Sequence, residues 1–580
     1  MPRPFEQTPR PGVRTLDQEG SIAPSATAAE LLRGVSTPDR VLEDYRPLPL
    51  NLEWRLSELH WIREGVTPFI RNDVPYHVNN DGRASADAAQ VLFASCLDVP
   101  PGDDPVRVLE VGAGSALFAR YFLDEFRDLC RRHGRDFYER LRFHVTDRSP
   151  TSVRHWSEHE VFGDHSGRVT TGVCDAQSPE PDEGPLRAVF ANYVLDSLPA
   201  AVLRRTDNGW EQLCARASIR DDDERASSRG AERMHDAARP GRLEDLEALL
   251  PLLPVIDSEL AFLPIEGNGP PDWEPHLGAV GDETAAASVV YNYGALRCLD
   301  ELVPRLHPAG FILVRDYGTA SGGVRRSIGA QRFGLATALP LNFDLIERHL
   351  RARSVEMLDP GDEGLMHSRL LTRAPLSNTR RTFVEQFGAR RPDAWELRSR
   401  ARERAEMGLL REALEIYRQA LTIHPRDWQL IGEAAQLAGT GLRDPKAGLD
   451  LARAALQINP WYSPFLWNVL GDCLAALDRH DEAHGCYVEA LRLHPVSVET
   501  HVRLAASWLR LGDAGRSLES VAHGLAADAD AMHRHTLLET QQAAMTALSR
   551  GWIARREAAF RRDAREAALV SERHPEGNSG

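Results

Sequence analysis

Along residues 106 to 134 the hydrophobic period changes once. Val106 to Val111 is a mostly apolar run with an acidic member, Glu110, near its end. Gly112-Ala113-Gly114 follows, and then Phe118, Phe122, Leu123, Phe126 and Leu129 recur at helical spacing. That succession predicts strand, glycine turn and helix. Three more apolar runs, Leu141 to Val145, Val169 to Val173 and Arg187 to Ala191, predict a second, third and fourth strand. Strands alternating with helical patterns predict an α/β fold with a parallel sheet. Further on, the pattern predicts a helix near Leu243 to Leu250, a loop over Gly267 to Pro275, and a helix over 284–303 carrying Tyr291, Asn292 and Tyr293.

From about residue 393 the pattern is helical throughout and repeats. Pro425, Pro460 and Pro495 are spaced by 35 residues. Phased on these prolines, Ala413, Tyr417 and Ala420 correspond to Ala483, Tyr487 and Ala490, and the third copy opens with Trp467, Leu470 and Gly471. This is a tetratricopeptide pattern, whose period is about 34 residues. The second copy is degraded, with Gly448 in place of Ala; a fourth, from about His501, has Leu504, Trp508 and Gly512 but no final proline. Repeats are expected over 393–530, and over 531–580 a capping helix with a disordered tail. Such arrays stack into a superhelix with a groove suited to a peptide or helix, so a protein or peptide partner is expected there. Dimerisation or domain packing is the plainer alternative.

Charge bears on what the glycine turn holds. A dinucleotide fingerprint takes a third glycine and seats a pyrophosphate at the helix N-terminus. Here the third position is Leu117, Glu110 stands beside the turn, and Lys446 is the only lysine of the chain, so no Walker-type Gly-Lys-Ser/Thr exists. A carboxylate there repels phosphate and suits a cation. S-adenosylmethionine has no phosphate and carries a sulfonium and an ammonium. The strand tips fit the same cofactor. Asp147, at the end of the second strand, is placed to accept both ribose hydroxyls, or else to cap the next helix with Ser149 or Thr151. Asp175 follows the third strand and suits the adenine amino group. Asn192 ends the fourth. The cofactor-binding set is therefore Glu110, Gly112, Gly114, Asp147, Asp175 and Asn192.

At these motifs the chain resembles the S-adenosylmethionine-dependent methyltransferases of the MidA type, which include a mitochondrial complex I assembly factor that methylates protein arginine. VLEVGAGSALFARYFLDEF matches the first motif. ANYVLDSLPAAVLRRTDNGWEQL matches the fourth-strand segment, with Asp196, Leu198, Pro199 and Gly209-Trp210-Glu211. HPAGFILVRDYG, His307 to Gly318, matches the fifth strand with its Asp316-Tyr317-Gly318 end. The resemblance spans roughly residues 70 to 375. It implies a seven-stranded Rossmann-like methyltransferase domain over 41–378, completed by a helix near Phe343 to Ala352 and strands near Ser354 to Leu358 and Met366 to Leu371. It also implies in-line displacement at the sulfonium methyl group, with alignment and water exclusion as the main contributions of the enzyme. The catalytic set is Asn192, Tyr193, Asp196 and Asp316. Asp196 would orient the acceptor or take its proton, or else simply cap the LDSLP turn. The family's usual Glu after the fourth-strand tip is Tyr193 here, which sets the chain apart from ordinary arginine methylation.

The expected activity is methyl transfer to a protein or peptide side chain, arginine among the candidates, with the repeats recruiting substrate. A small-metabolite methyltransferase and an inactive scaffold are the alternatives. The remaining segments are a disordered lead over 1–40, an insertion over 219–285 placed as an acceptor lid or as a solvated excursion, and a charged linker over 379–392. The formal net charge of −16 argues against nucleic-acid partners. No apolar run is long enough for a bilayer and the N-terminus lacks a signal-peptide core. Seven scattered cysteines without metal spacing indicate no metal site and a reduced, cytoplasmic setting.

Overall fold

The structure, a computed structural model, describes residues 40–573 apart from 76–77, 79–81, 101, 180–183, 220–245, 266–268, 278–287, 320–330, 334–335, 362–365 and 389–393. The expected lead, apart from Arg40, therefore lies outside the described residues, as do the acidic run 221–224 and the last seven positions. The chain divides into two units, Met1–Arg391 and Pro392–Gly580.

The first unit opens with β1 (Arg40–Pro47), α1 (Leu52–Glu64), α2 (Thr67–Ile70) and α3 (Gly82–Leu97). The glycine-turn segment follows as the sequence predicts: β2 (Val106–Val111), then α4 (Leu117–Arg132). Phe122, Leu123 and Phe126 of α4 are wholly buried, and Phe122 meets Phe143 and Phe190 of the sheet at ring distances of 5.4 and 5.0 Å. Next come β3 (Leu141–Asp147), α5 (Pro150–Glu158), β4 (Val169–Val173) and β5 (Leu186–Asn192). The chain then leaves this sheet for β6 (Ala201–Thr206), β7 (Gly209–Ile219), β8 (Asp257–Pro264) and β9 (Ser288–Tyr291) and returns through α6 (Tyr293–Leu302) to the long β10 (Leu306–Thr319). β11 (Gln331–Phe333) and β12 (Ala336–Ala338) form a hairpin, and β13 (Leu341–Asn342), α7 (Phe343–Arg351), β14 (Glu356–Leu358) and β15 (Met366–Thr372) close the fold.

The main sheet runs in the order β14-β15-β10-β5-β2-β3-β4, with β13 pairing β10 off this path. β10, β5, β2, β3 and β4 are mutually parallel, and β15 is antiparallel to both β10 and β14. Parallel strands are buried on both faces, and Ala188 to Ala191 of β5 are all wholly buried.

A second sheet departs from the sequence expectation. It runs β1-β7-β6-β9 with β8 on the other register of β7, all antiparallel. The segment 284–303 is expected as one helix; from Ser288, where the described residues begin, it is β9 followed by α6, so buried Tyr291 lies on a strand. Pairing of β9 with β6 outweighs local helical spacing there. Of the helix expected at Leu243 to Leu250, the described residues form a helix over Leu246–Leu249 and then a 3₁₀ turn, Leu250–Val255, that contains Pro251 and Pro254; 243–245 lie outside the described residues. The expected loop Gly267 to Pro275 contains the start of a short helix, Trp273–Leu277, with Trp273 edge-on to Trp210 at 5.7 Å.

The expected linker 379–392 is also corrected. Most of it lies in α8 (Ser377–Phe387), which belongs to the first unit. Phe383 is fully buried, and Asp98 at the end of α3 caps the helix from outside. Its carboxylate accepts from the N–H of Asn378 (2.9 Å) and from the N–H (2.9 Å) and hydroxyl (2.7 Å) of Thr379.

The second unit is all helical: α9 (Ala394–Glu406), α10 (Leu410–Ile423), α11 (Trp428–Gln436), α12 (Pro445–Ile458), α13 (Pro464–Ala476), α14 (His480–Leu493), α15 (Val498–Arg510), α16 (Ala514–Ala527) and the long α17 (Arg534–Arg573). The equivalent Ala413, Tyr417, Ala420 and Ala483, Tyr487, Ala490 are all buried. The two tyrosine hydroxyls each donate to a carboxylate at 2.9 Å, Tyr417 forward to Glu433 of α11 and Tyr487 back to Asp472 of α13. The degraded second copy has its own logic. A Cβ on Gly448 would lie 2.7 Å from the Cα of Gly439, so glycine permits that close helix contact. Among the described residues no helix is long and apolar enough to cross a membrane.

Candidate active site

Five polar residues foreseen from the sequence emerge at the carboxyl edge of five adjacent parallel strands: Asp316 on β10, Asn192 on β5, Glu110 on β2, Asp147 on β3 and Asp175 just beyond β4. Register confirms the alignment, with Arg315 opposite Asn192, Val111 opposite Ala191, and Asp147 opposite Val173. Open α/β sheets take their ligands at this edge.

The glycine turn lies between β2 and α4. Gly112 and Gly114 have φ of +65° and +55°, where L side chains are strained. A Cβ on Gly112 would fall 2.4 Å from Val194, and one on Gly114 would fall 2.5 Å from the ring of Phe69. The atoms next to the missing Cβ positions are protein side chains, Val194 just beyond β5 and Phe69 from α2.

Asp147 ties this turn to the strand tip. Its Oδ2 accepts from the N–H of Gly114 and its Oδ1 from the N–H of Ser149, both at 2.8 Å. Burial raises its pKa to about 6, against the pull of those two N–H groups. The cap of α5 is Ser149, whose hydroxyl accepts from Ser152 N–H, so Asp147 is spared that task. Asp175 accepts from Gln177 N–H at 2.9 Å and lies 3.7 Å from Arg148. Glu110 is buried, at 2 % exposure.

Asn192 is 9 % exposed, and among the described residues neither atom of its side-chain amide has a hydrogen-bond partner. Buried amides are ordinarily satisfied, so this one fits a ligand group. Tyr193 follows with φ of +53°, its N–H donating to Arg315 O at 2.9 Å. A bulky residue in that region stores on the order of 1–3 kcal/mol of strain. Its ring lies 6.0 Å from that of Tyr317 and 5.6 Å from the Arg315 guanidinium.

The next turn, Leu195–Ser197, carries Asp196. Asp316 is fully buried beneath it. One carboxyl oxygen accepts from the N–H of Leu195 (2.9 Å) and Asp196 (3.2 Å), and the other from Tyr317 N–H (2.8 Å). The two carboxyl groups are close enough to act on each other electrostatically. Burial raises the pKa of Asp196 to about 7, and burial together with the Asp196 charge holds Asp316 well above the carboxylate range. Two close carboxyls in a dry site cannot both ionise cheaply, so near neutrality the pair keeps a proton. Asp316 thereby holds the turn that presents Asp196.

Sequence reasoning missed Phe69, Val194, Arg148 and Trp156. Trp156 donates from its ring N–H to Gly114 O at 3.2 Å. Arg148 pairs with Glu58 of α1 as well as Asp175. Val194 lies within the fourth-strand motif but has no chemistry to mark it, and Phe69 precedes the glycine turn by a whole helix, so no local pattern marks it.

Residues 93–332 match the profile of a family described as "Putative S-adenosyl-L-methionine-dependent methyltransferase". No curated protein matches the chain. Among solved structures, an uncharacterised protein from Burkholderia thailandensis is similar at 17 % identity over 55 % of this chain and 73 % of its own, with a TM-score of 0.34. A second structure from that organism, bound to S-adenosyl-homocysteine, is similar at 14 % identity over 54 % and 81 %, with a TM-score of 0.32. A tetratricopeptide protein from Thermus thermophilus is similar at 17 % identity over 31 % and 100 %, with a TM-score of 0.25. With the family match laid over an acidic strand edge, a glycine turn and an unsatisfied Asn192, the first unit is an S-adenosylmethionine-dependent methyltransferase and S-adenosylmethionine is its cofactor.

Proposed function

We propose that this enzyme methylates a side chain of a protein or peptide, and that the helical unit recruits that substrate. The observation that carries the reading is the fused array itself. Four helix pairs, two of which carry buried Ala-Tyr-Ala positions in tetratricopeptide phase, form a surface of the kind that holds extended peptides. A small acceptor has no use for such a surface.

S-adenosylmethionine supplies a methyl group activated for in-line displacement when bound. In this reading Glu110, Asp147 and Asp175 hold it through its cationic end, its ribose and its adenine. The Asn192 amide orients the reacting groups, and Tyr193 and Tyr317 wall the acceptor side. Asp196, coupled to Asp316, receives the proton that the acceptor loses, and the closed turn keeps water away. The pair carries one negative charge rather than two. That favours a neutral amine, amide or hydroxyl over a guanidinium clamped between two carboxylates, in keeping with Tyr193 at the position where MidA-type enzymes usually carry Glu.

The test is incubation with methyl-labelled S-adenosylmethionine and a lysate from cells lacking the gene, followed by separation by size. Label in a macromolecular band is expected, and mass spectrometry then names the modified residue. Label confined to small molecules would replace this reading with a metabolite methyltransferase.

A further inference from the structure

The helix pair α1–α2 lies upstream of the matched residues 93–332, yet it has three footholds on the strand-tip region. Glu58 pairs with Arg148, which in turn approaches Asp175. Ile62 O accepts from the Ser149 hydroxyl at 2.7 Å, and the α1–α2 turn packs so closely there that a Cβ on Gly65 would lie 2.9 Å from that hydroxyl. Phe69, 7 % exposed, sets its ring against Gly114, with Trp61 edge-on behind it at 5.9 Å. Each foothold falls on a residue of the proposed cofactor set or on its immediate neighbour.

We infer that α1–α2 is part of the cofactor site and that Phe69, backed by Trp61, contacts the bound methyl donor. This rests on the assignment of the Gly112–Gly114 edge to the donor. The chemistry suits it. A flat adenosyl group and a sulfonium both favour an aromatic face, the cation through the ring's negative quadrupole. A ring already seated on the glycine turn borders the space that a ligand at this edge must enter. Packing alone does not account for the ionic contact, which places a carboxylate from α1 beside Arg148 and so links α1 to the adenine-side Asp175.

The test measures binding of S-adenosylhomocysteine to the full chain by calorimetry, without turnover. S-adenosylhomocysteine lacks the sulfonium, so it reads the aromatic contact with the adenosyl group: Phe69→Ala is expected to weaken binding by about tenfold or more, and Phe69→Tyr, which keeps the ring, to stay within about threefold. Hydrogen exchange of the wild type should show amides of residues 52–70 slowing when the ligand saturates. A folded Phe69→Ala chain that binds as wild type does overturns the inference. If that variant does not fold, exchange decides: no slowing at 52–70 overturns it, and slowing supports it. A wild-type chain that binds no S-adenosylhomocysteine is a different failure, since it removes the donor assignment beneath the inference.

Discussion

Asp196 and Asn192 are adjacent in function but opposite in energetics. Burial raises both Asp196 and Asp316, so the folded state prefers them protonated. The contribution of Asp196 is complete below the ordinary carboxylate range and is lost as pH rises through about 7. Proton acceptance needs the opposite state. The melting temperature should therefore fall between pH 5 and 8 while kcat rises over the same window. Asp196→Asn should flatten the neutral inflection and lower kcat by about a hundredfold or more. A kcat profile that keeps its inflection in that variant would remove Asp196 as the proton acceptor. Asn192 carries a buried amide without a partner among the described residues, so replacing it by an apolar group of the same shape relieves a cost. Asn192→Leu should melt at or above the wild-type temperature yet lose about tenfold or more in kcat/KM. Loss of both stability and activity would make it a structural residue.

At the scale of elements, what was legible followed from periodicity. The strand, turn and helix at 106–132 and the Ala-Tyr-Ala positions of the repeats can be read because a single period persists across each. The second sheet was hidden for a physical reason. β7 draws its partners from β1, β6 and β8, which lie far apart in sequence, and short strands such as Ser288–Tyr291 take their conformation from pairing rather than from local preference. In the site, charged strand tips were legible as types at positions. Phe69 and Val194 were not, because their role is contact with a missing Cβ on another element. The helix Ser377–Phe387 was masked by its charged composition, and its cap, Asp98, comes from a distant element. Burial pushes the Asp98 pKa up, but hydrogen bonds from Thr379 and Asn378 outweigh this and hold it below the ordinary carboxylate value. That stabilisation is present above the carboxylate range and lost on acidification. Asp98→Ala should cost about 1–2 kcal/mol in denaturant unfolding near neutral pH and progressively less toward acid pH. An unchanged midpoint near neutral pH would show that α8 docks through Phe383 alone.

For the whole molecule, the division of labour is read from where each kind of residue lies. Every residue assigned to the donor and to proton transfer, from Phe69 to Asp316, belongs to the first unit, and the second contributes none of them. Each unit has its own core, with helices of the second tied to their neighbours by contacts such as Tyr417–Glu433 and Tyr487–Asp472. In the first of these, Glu433 is buried between Arg398 and Arg402, a network internal to the array. Chemistry and recruitment are thus separable in principle, and the separation makes a quantitative claim. Removing residues 392–580 should leave S-adenosylhomocysteine affinity within about threefold of wild type, provided circular dichroism shows the first unit folded. The same truncation should raise KM for the macromolecular acceptor steeply while kcat at saturation changes little, because recruitment raises local concentration without entering the transition state. If KM is unmoved and kcat falls instead, the repeats act on the chemistry of the first unit, and the recruitment reading gives way to one in which they complete or regulate the site.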